Sequence, residues 1–272
     1  MTVAEIHGKI SDSNISERME DLLTSDVFGC LRYLPPQTGL LPFLRTARSV
    51  QGREFKLTPG ISKVHSLFWP WLNFKGRSSC EPDVLLGLED DQGRMHLVMI
   101  EAKYHSGISS EEDEGEDPRH QLARELDALR AVTGPIFGLD AATIIGSRTL
   151  IFVTAEMAMP RADILAGLAE LTAKREEKAE IFWTSWRQFP SILEHAMTDE
   201  TDPGRHAVLE DMLALLARKG LFMFSGVERV TQRFSPTDFE FYQIERSNYL
   251  WPDIPDPGLT LREYVYEVTA NG

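Results

Sequence analysis

The chain has 272 residues and a formal net charge of −14, which suits one large domain with a sizeable core and disfavours nucleic-acid binding over the whole surface. No apolar run reaches the roughly eighteen residues of a membrane span, and the amino terminus lacks the order of a signal peptide, so we expect a cytoplasmic protein without a membrane partner. The two cysteines, Cys30 and Cys80, are too few for a disulfide framework or a zinc cluster, and we expect both to be small buried hydrophobic residues.

The charge is distributed unevenly. Six of the seven residues from Glu111 to Asp117 are acidic and predict a loop, whereas residues 40–79, the basic segment, contain seven Lys and Arg against the single acid Glu54. Because a phosphate backbone is recognised by a local patch, the acidic total does not exclude a nucleic-acid partner. The alternative is that these cations are scattered over a solvated surface.

The amino-terminal third predicts a helix and then a strand. Ser16 is a suitable N-cap, apolar residues recur after it at helical spacing, and the helix is expected to end before Pro35-Pro36. Residues 37–60 are rich in turn formers and are expected to be irregular or to form a partly ordered insertion. Residues 64–69 predict a strand, and the following Pro70 favours a sheet edge or a bend.

Two neighbouring apolar runs, residues 81–88 and 95–104, predict paired strands joined by a turn at residues 90–93. If the strands pair antiparallel around that turn, Asp83 near the start of the first lies beside Glu101 near the end of the second. Two carboxylates at this spacing repel each other unless a cation lies between them. A hard divalent ion with oxygen ligands, Mg²⁺ first, is the expected occupant.

The end of the second strand adds a positive charge to the same place. Side chains alternate along a strand, so Glu101 and Lys103 share one face and Ala102 points to the other. The structural alternative is an ordinary ion pair between Glu101 and Lys103 on a sheet surface, with Asp83 only capping the entry to its strand.

The following segments predict a mixed α/β order. Asp117-Pro118 is expected to open a helix with a leucine stripe, and Gln121 and Glu125 lie one turn apart beside that stripe. The order that results is helix, three strands, helix, strand, helix, strand. The later elements are predicted as a strand at 148–156, a helix at 161–174 and a strand at 180–186.

Beyond Pro190 the pattern is mainly helical, with a well-capped helix expected between Asp202 and Gly220. We expect a single domain over residues 1–272, with a core at about 16–190 and an extension at about 191–272, because no repeat or low-complexity linker divides the chain.

The residues at the open end of the predicted hairpin resemble the motif of the PD-(D/E)XK nuclease superfamily. Pro82-Asp83 is similar to the first half of its motif, and Glu101-Ala102-Lys103 to the second half. The resemblance covers about residues 16–186 and implies a restriction-endonuclease-like mixed central sheet flanked by helices. The first helix resembles one that often supplies a further carboxylate, here Glu17 or Glu20, with Glu20 narrowly preferred. Gln121 is similar to a glutamine that several branches of the family place beside the site.

The resemblance implies a metal-dependent nuclease that hydrolyses phosphodiester bonds, with DNA preferred as substrate over RNA and a homodimer as a further expectation. Asp83, Glu101 and the backbone carbonyl of Ala102 would hold Mg²⁺, for which Mn²⁺ would substitute. Lys103 would orient or help deprotonate a metal-activated water, and Gln121 would position a phosphate or a ligand carboxylate.

Two alternatives stay open. The first is an inactive nuclease-like fold that binds nucleic acid or a protein partner without cutting it. The second is an unrelated α/β protein in which the motif is accidental. Five aromatic residues could stack on bases, although aromatic residues on strands belong more often to a core: Trp69, Trp71, Phe74, Trp183 and Trp186.

Overall fold

The computed structural model of the protein describes residues 15–75, 77, 79–104, 120–174 and 180–222, and the side chains of these residues except 15–18 and 172–174. In this part of the chain the α-helices are α1 (Ile15–Leu31), α2 (Leu40–Arg45), α3 (Gln121–Leu129), α4 (Arg161–Lys174), α5 (Phe189–Asp199) and α6 (Pro203–Arg218). The strands are β1 (Arg48–Ser49), β2 (Lys63–Phe68), β3 (Val84–Glu89), β4 (Met95–Ala102), β5 (Ile145–Thr154) and β6 (Ile181–Ser185).

The strands form one mixed sheet in the order β1-β6-β5-β4-β3-β2. Strands β2, β3 and β4 pair antiparallel, β4, β5 and β6 pair parallel, and β1 closes the far edge antiparallel to β6. Strand β4 therefore lies inside the sheet at the junction of its two halves, and all eight of its residues are buried. Polar side chains at the carboxyl end of β4 are thus held among packed elements.

Helices cover both faces of this sheet. Because side chains alternate along a strand, neighbours such as Val84 and Leu85 belong to different core clusters. One cluster packs the sheet against α1, α2, α5 and α6, and the other packs it against α3 and α4. The fold is α/β with three layers, as the alternation of helices and strands in the sequence predicts.

The turn between β3 and β4 is built by one buried aspartate. Asp90 Oδ1 accepts hydrogen bonds from the backbone N–H groups of Gln92 (3.0 Å) and Arg94 (2.8 Å). Gly93 takes a left-handed conformation with φ 74°, which glycine adopts without a steric penalty. This local chemistry fixes the hairpin register, and the register in turn sets which residues face each other at the open end of the hairpin.

An aromatic cluster joins the carboxyl-terminal helices to the sheet. The rings of Phe43 and Phe189 stack with centroids 3.7 Å apart, and Trp186 packs against both. The indole Nε1 of Trp186 donates to the backbone oxygen of Lys103 at 3.2 Å. The core therefore also fixes the backbone just beyond β4.

Most of the predicted elements are confirmed. The hairpin, the helix at 161–174, the strands near 148–156 and 180–186 and the edge position of β2 all agree with the structure. The helix expected between Asp202 and Gly220 is present as α6, and the Asp202 side chain accepts a hydrogen bond from the backbone N–H of Arg205.

Two boundary predictions were wrong, whereas residues 37–60 are partly ordered, one of the two expectations for them, because they contain α2 and β1. Helix α1 already includes Ile15, so Ser16 is not its N-cap. Helix α3 begins at Gln121 after an extended His120, and so does not open at Asp117. The acidic run 111–117 and the residues after 222 lie outside the described residues, and the division into core and extension stays a prediction.

The two cysteines differ in how deeply they are buried. Cys80 is buried, as expected, whereas Cys30 is partly exposed.

None of the helices described has both the length and the apolar character that a membrane crossing requires.

Candidate functional site

The register of the hairpin brings Asp83 and Glu101 together. The last pair of the β3–β4 ladder is Val84 with Ile100, so the residues one step further, Asp83 and Glu101, face each other across the two strands. Asp83 is 7% exposed and Glu101 is 2% exposed. The two carboxyl groups predicted to be neighbours are therefore neighbours, and both are buried.

Two hydrogen bonds orient the carboxylate of Asp83. The backbone N–H of Ala102 donates to Oδ2 at 2.8 Å, and the indole Nε1 of Trp69 donates to Oδ1 at 3.2 Å. The backbone N–H of Trp69 also donates to the backbone oxygen of Asp83 at 3.0 Å. Trp69 thus binds both the main chain and the side chain of Asp83, and each carboxylate oxygen keeps a further lone pair for another ligand.

Lys103 bridges two carboxylates. Its Nζ lies 2.8 Å from Glu101 Oε1 and 3.1 Å from Glu20 Oε1. The shared face predicted for Glu101 and Lys103 is consistent with this ion pair. Glu20, the residue preferred for the third carboxylate, lies on α1. Its ion pair with Lys103 connects this helix to the end of β4.

The backbone around this bridge is also tied down. Glu20 Oε2 accepts a hydrogen bond from the backbone N–H of Tyr104 at 3.0 Å, and the backbone N–H of Lys103 donates to Val153 O at 2.7 Å. The alternative residue, Glu17, has its side chain outside the described part of the structure.

Helix α3 adds an amide and a fourth carboxyl group. The side-chain Nε2 of Gln121 donates a hydrogen bond to Glu101 Oε1. Glu125, one turn later, is 1% exposed and has its carboxyl group against that of Glu101. Glu125 Oε2 is buried and accepts no hydrogen bond from the described residues.

Among the described residues, the site therefore holds four carboxyl groups, from Asp83, Glu101, Glu125 and Glu20, against the ammonium of Lys103. Burial and the neighbouring Glu101 raise the pKa of Asp83 well above its usual range. Burial and Glu125 do the same to the pKa of Glu101. Burial raises the pKa of Glu125 to about 7. The cause is common to all three groups, because each charged form would be poorly solvated and close to another negative charge.

The amine of Lys103 responds in the opposite direction. Burial alone would lower its pKa, but the carboxylates of Glu101, Glu20 and Asp83 outweigh burial and raise it. In this arrangement Lys103 is a protonated hydrogen-bond donor. To deprotonate a water, Lys103 would have to be a neutral amine. The geometry therefore favours the other predicted role, in which Lys103 orients the water and offsets negative charge.

The donor chemistry of this pocket fits a hard divalent cation. Asp83 and Glu101 offer carboxylate oxygens, which such ions prefer, and their raised pKa values show that negative charge there is poorly balanced. Among the described residues, no group of three or more His, Cys, Asp or Glu has an arrangement that could hold a metal ion. The candidate ligand set is thus the smaller one that the sequence predicts, two carboxylates with the backbone carbonyl of Ala102.

The sequence predicts most residues of this site, but it did not identify Glu125 and Trp69 as part of it. The spacing of four residues from Gln121 was the signal for Glu125, since both side chains then lie on one side of a helix. No comparable signal exists for Trp69, whose contact with Asp83 depends on how the chain turns after β2.

Comparisons with known proteins add no further identification. The chain matched no protein-family model, no curated protein and no solved structure.

Proposed function

We propose that this protein is a metal-dependent nuclease of the PD-(D/E)XK type that hydrolyses phosphodiester bonds, with DNA as the preferred substrate class. One observation supports the proposal most strongly. Asp83 and Glu101 meet at the end of a central hairpin, both buried, with the Lys103 ammonium 2.8 Å from Glu101. An excess of buried carboxylates is unfavourable unless protons or cations compensate it, and the Lys103 ammonium balances only one of these charges.

Each residue has a role that follows from its contacts. Asp83, Glu101 and the carbonyl of Ala102 would hold Mg²⁺, or Mn²⁺ in its place, which when bound polarises a phosphodiester and supplies an activated water. Lys103 donates hydrogen bonds to negative charge that builds up on the phosphate. Gln121 holds the Glu101 carboxylate in place through its amide. Glu20 keeps the Lys103 side chain at the site through the 3.1 Å ion pair.

The basic segment supports nucleic-acid binding only in part. Three of its cations are engaged with carboxylates of the protein itself, in the pairs Arg48–Glu54 (3.1 Å), Arg53–Glu180 (2.7 Å) and Arg77–Asp127 (2.8 Å). Lys75, in the same segment, is exposed. Substrate attraction therefore depends on a smaller set of cations than the sequence count gives, together with the metal ion.

A cleavage assay with matched variants tests the proposal. Labelled single-stranded DNA, duplex DNA, supercoiled DNA and RNA are incubated with Mg²⁺ or Mn²⁺ and separately with EDTA. The parent is compared with Glu101→Gln and with Glu194→Gln, which makes the same change at an exposed carboxylate. We expect metal-dependent cleavage that falls at least about 100-fold in Glu101→Gln and is unchanged in Glu194→Gln. Equal activity in all three proteins, or activity that survives EDTA, would reject the proposal.

A second candidate is a nuclease-like fold that binds nucleic acid or a protein without cutting. The observation in its favour is that Lys103 is already engaged with both Glu101 and Glu20, so the polar groups partly satisfy one another without a metal. The same assay separates the two functions, because a binding module retains nucleic acid or protein but releases no product. A homodimer remains a separate proposal, which light scattering tests by the mass in solution.

A further inference from the structure

An exposed tryptophan lies next to the candidate site. Trp71 is 65% exposed, although a large aromatic side chain gains more from burial than almost any other residue. It follows Trp69, which contacts Asp83, by two residues, and two residues of extended chain span at most about 7 Å. The backbone of Trp71 therefore lies within about 7 Å of the backbone of Trp69, which is bound to Asp83.

The chain on both sides of Trp71 is anchored. On the amino-terminal side, the backbone N–H of Trp69 donates to Asp83 O at 3.0 Å. On the carboxyl-terminal side, Leu72 and Cys80 exchange two backbone hydrogen bonds, of 2.8 and 3.0 Å. Leu72 is 1% exposed and belongs to the core cluster that includes Leu122 of α3. The exposed indole is thus attached to a backbone segment that is fixed at both ends, by Asp83 on one side and by Cys80 and the core on the other.

The backbone here is also under strain. Trp69 has φ 46°, a left-handed conformation that non-glycine residues adopt rarely and at a cost. This conformation ends β2, directs the Trp69 indole to Asp83 and carries the chain outward through Pro70 to Trp71. Burying the Trp71 ring in the core would lower the free energy of folding. The segment nevertheless buries Leu72 and leaves Trp71 exposed.

We infer that Trp71 is a base-stacking residue and that the nuclease acts on nucleic acid with unstacked bases, either single strands or frayed ends. This inference rests on the proposed function. An exposed indole beside a phosphodiester site offers a flat surface to a base only when that base is not already stacked in a duplex. Lys75, exposed and four residues further along, supplies the positive charge that accompanies such aromatic surfaces in single-strand binding.

Binding and cleavage measured on the same variants test the inference. Fluorescence anisotropy with a labelled single-stranded oligonucleotide and with the matching blunt duplex is recorded in Ca²⁺, which replaces Mg²⁺ for binding. Trp71→Ala is compared with Trp71→Phe and with Tyr33→Ala, a change at an aromatic residue that is 75% exposed. We expect Trp71→Ala to weaken single-strand binding roughly tenfold and duplex binding less than about twofold. Trp71→Phe should retain most of the affinity, and Tyr33→Ala should match the parent.

An abasic single strand separates stacking from backbone binding. In Mn²⁺, Trp71→Ala should raise the KM for single-stranded DNA about tenfold, and the difference from the parent should shrink for an abasic single strand of the same length, which has no base to stack on Trp71. An unchanged single-strand affinity in Trp71→Ala, or an equal loss for both oligonucleotides, would overturn the inference and leave the proposed function standing. A parent protein that neither binds nor cleaves any of these substrates would overturn the proposed function and the inference with it.

Discussion

The substitution Glu125→Gln tests whether the buried carboxyl groups lack compensating charge. Burial raises the pKa of Glu125 from its ordinary 4.5 to about 7. Below pH 4.5 the group is protonated in both the folded and the unfolded chain. As the pH rises from 4.5 to 7 the unfolded chain releases its proton while the folded protein retains it, so the free energy of unfolding falls through this window.

The size of the effect follows from the same two pKa values. Each pH unit between the folded and unfolded pKa corresponds to about 1.4 kcal/mol, so the ionised Glu125 costs about 3 kcal/mol once the pH exceeds 7. Glutamine has nearly the same shape but does not ionise, and this cost disappears. The repulsion that Glu125 exerts on Glu101 disappears as well, which acts in the same direction.

Urea denaturation in EDTA at several values between pH 5 and pH 8 measures the effect. The parent should lose about 2.5 kcal/mol more than Glu125→Gln across this range, because part of the effect lies below pH 5. Glu194→Gln, the matched change at an exposed carboxylate, should follow the parent. If the stability curves of the parent and Glu125→Gln run parallel, Glu125 is not a buried group of raised pKa, and the excess of negative charge in the pocket has been overestimated.

Three further predictions concern the same pocket. In EDTA, Lys103→Ala should destabilise the protein by about 3 kcal/mol, measured by urea denaturation, because two buried carboxylates lose their ammonium. Trp69→Phe should cost about 1–2 kcal/mol in the same measurement, since the buried Asp83 Oδ1 loses its hydrogen-bond donor. At pH 8, Mg²⁺ at a hundred times its Kd should raise the free energy of unfolding of the parent by about 2.7 kcal/mol, and Glu101→Gln should show a much smaller rise in thermal unfolding experiments.

The sequence could predict the hairpin and its carboxylates because that part of the fold is local. A short turn with its own hydrogen bonds connects β3 and β4, and an antiparallel register then follows from the turn alone. Asp83 and Glu101 therefore face each other without any information about the rest of the molecule. The position of Lys103 on the same face as Glu101 follows from the alternation of side chains along one strand.

The missed features depend on contacts between distant parts of the chain. Strand β1 has two residues and exists because Arg48 and Ser49 pair with Trp183 and Phe182 of β6, which no local pattern indicates. The burial of Glu125 depends on how α3 packs against the sheet. The contact from Trp69 to Asp83 requires a left-handed backbone at a tryptophan, which residue preferences argue against.

The anomalous scattering of manganese gives the most direct test of the proposed metal centre. Crystals of the parent grown or soaked with Mn²⁺ should show an anomalous peak within coordination distance of the carboxylate oxygens of Asp83 and Glu101 and of the Ala102 carbonyl oxygen. Glu101→Gln crystals treated in the same way should lose most of that peak. A well-ordered parent site without manganese, or a peak that touches neither carboxylate, would contradict the assignment of this pocket as a metal-dependent phosphodiesterase centre.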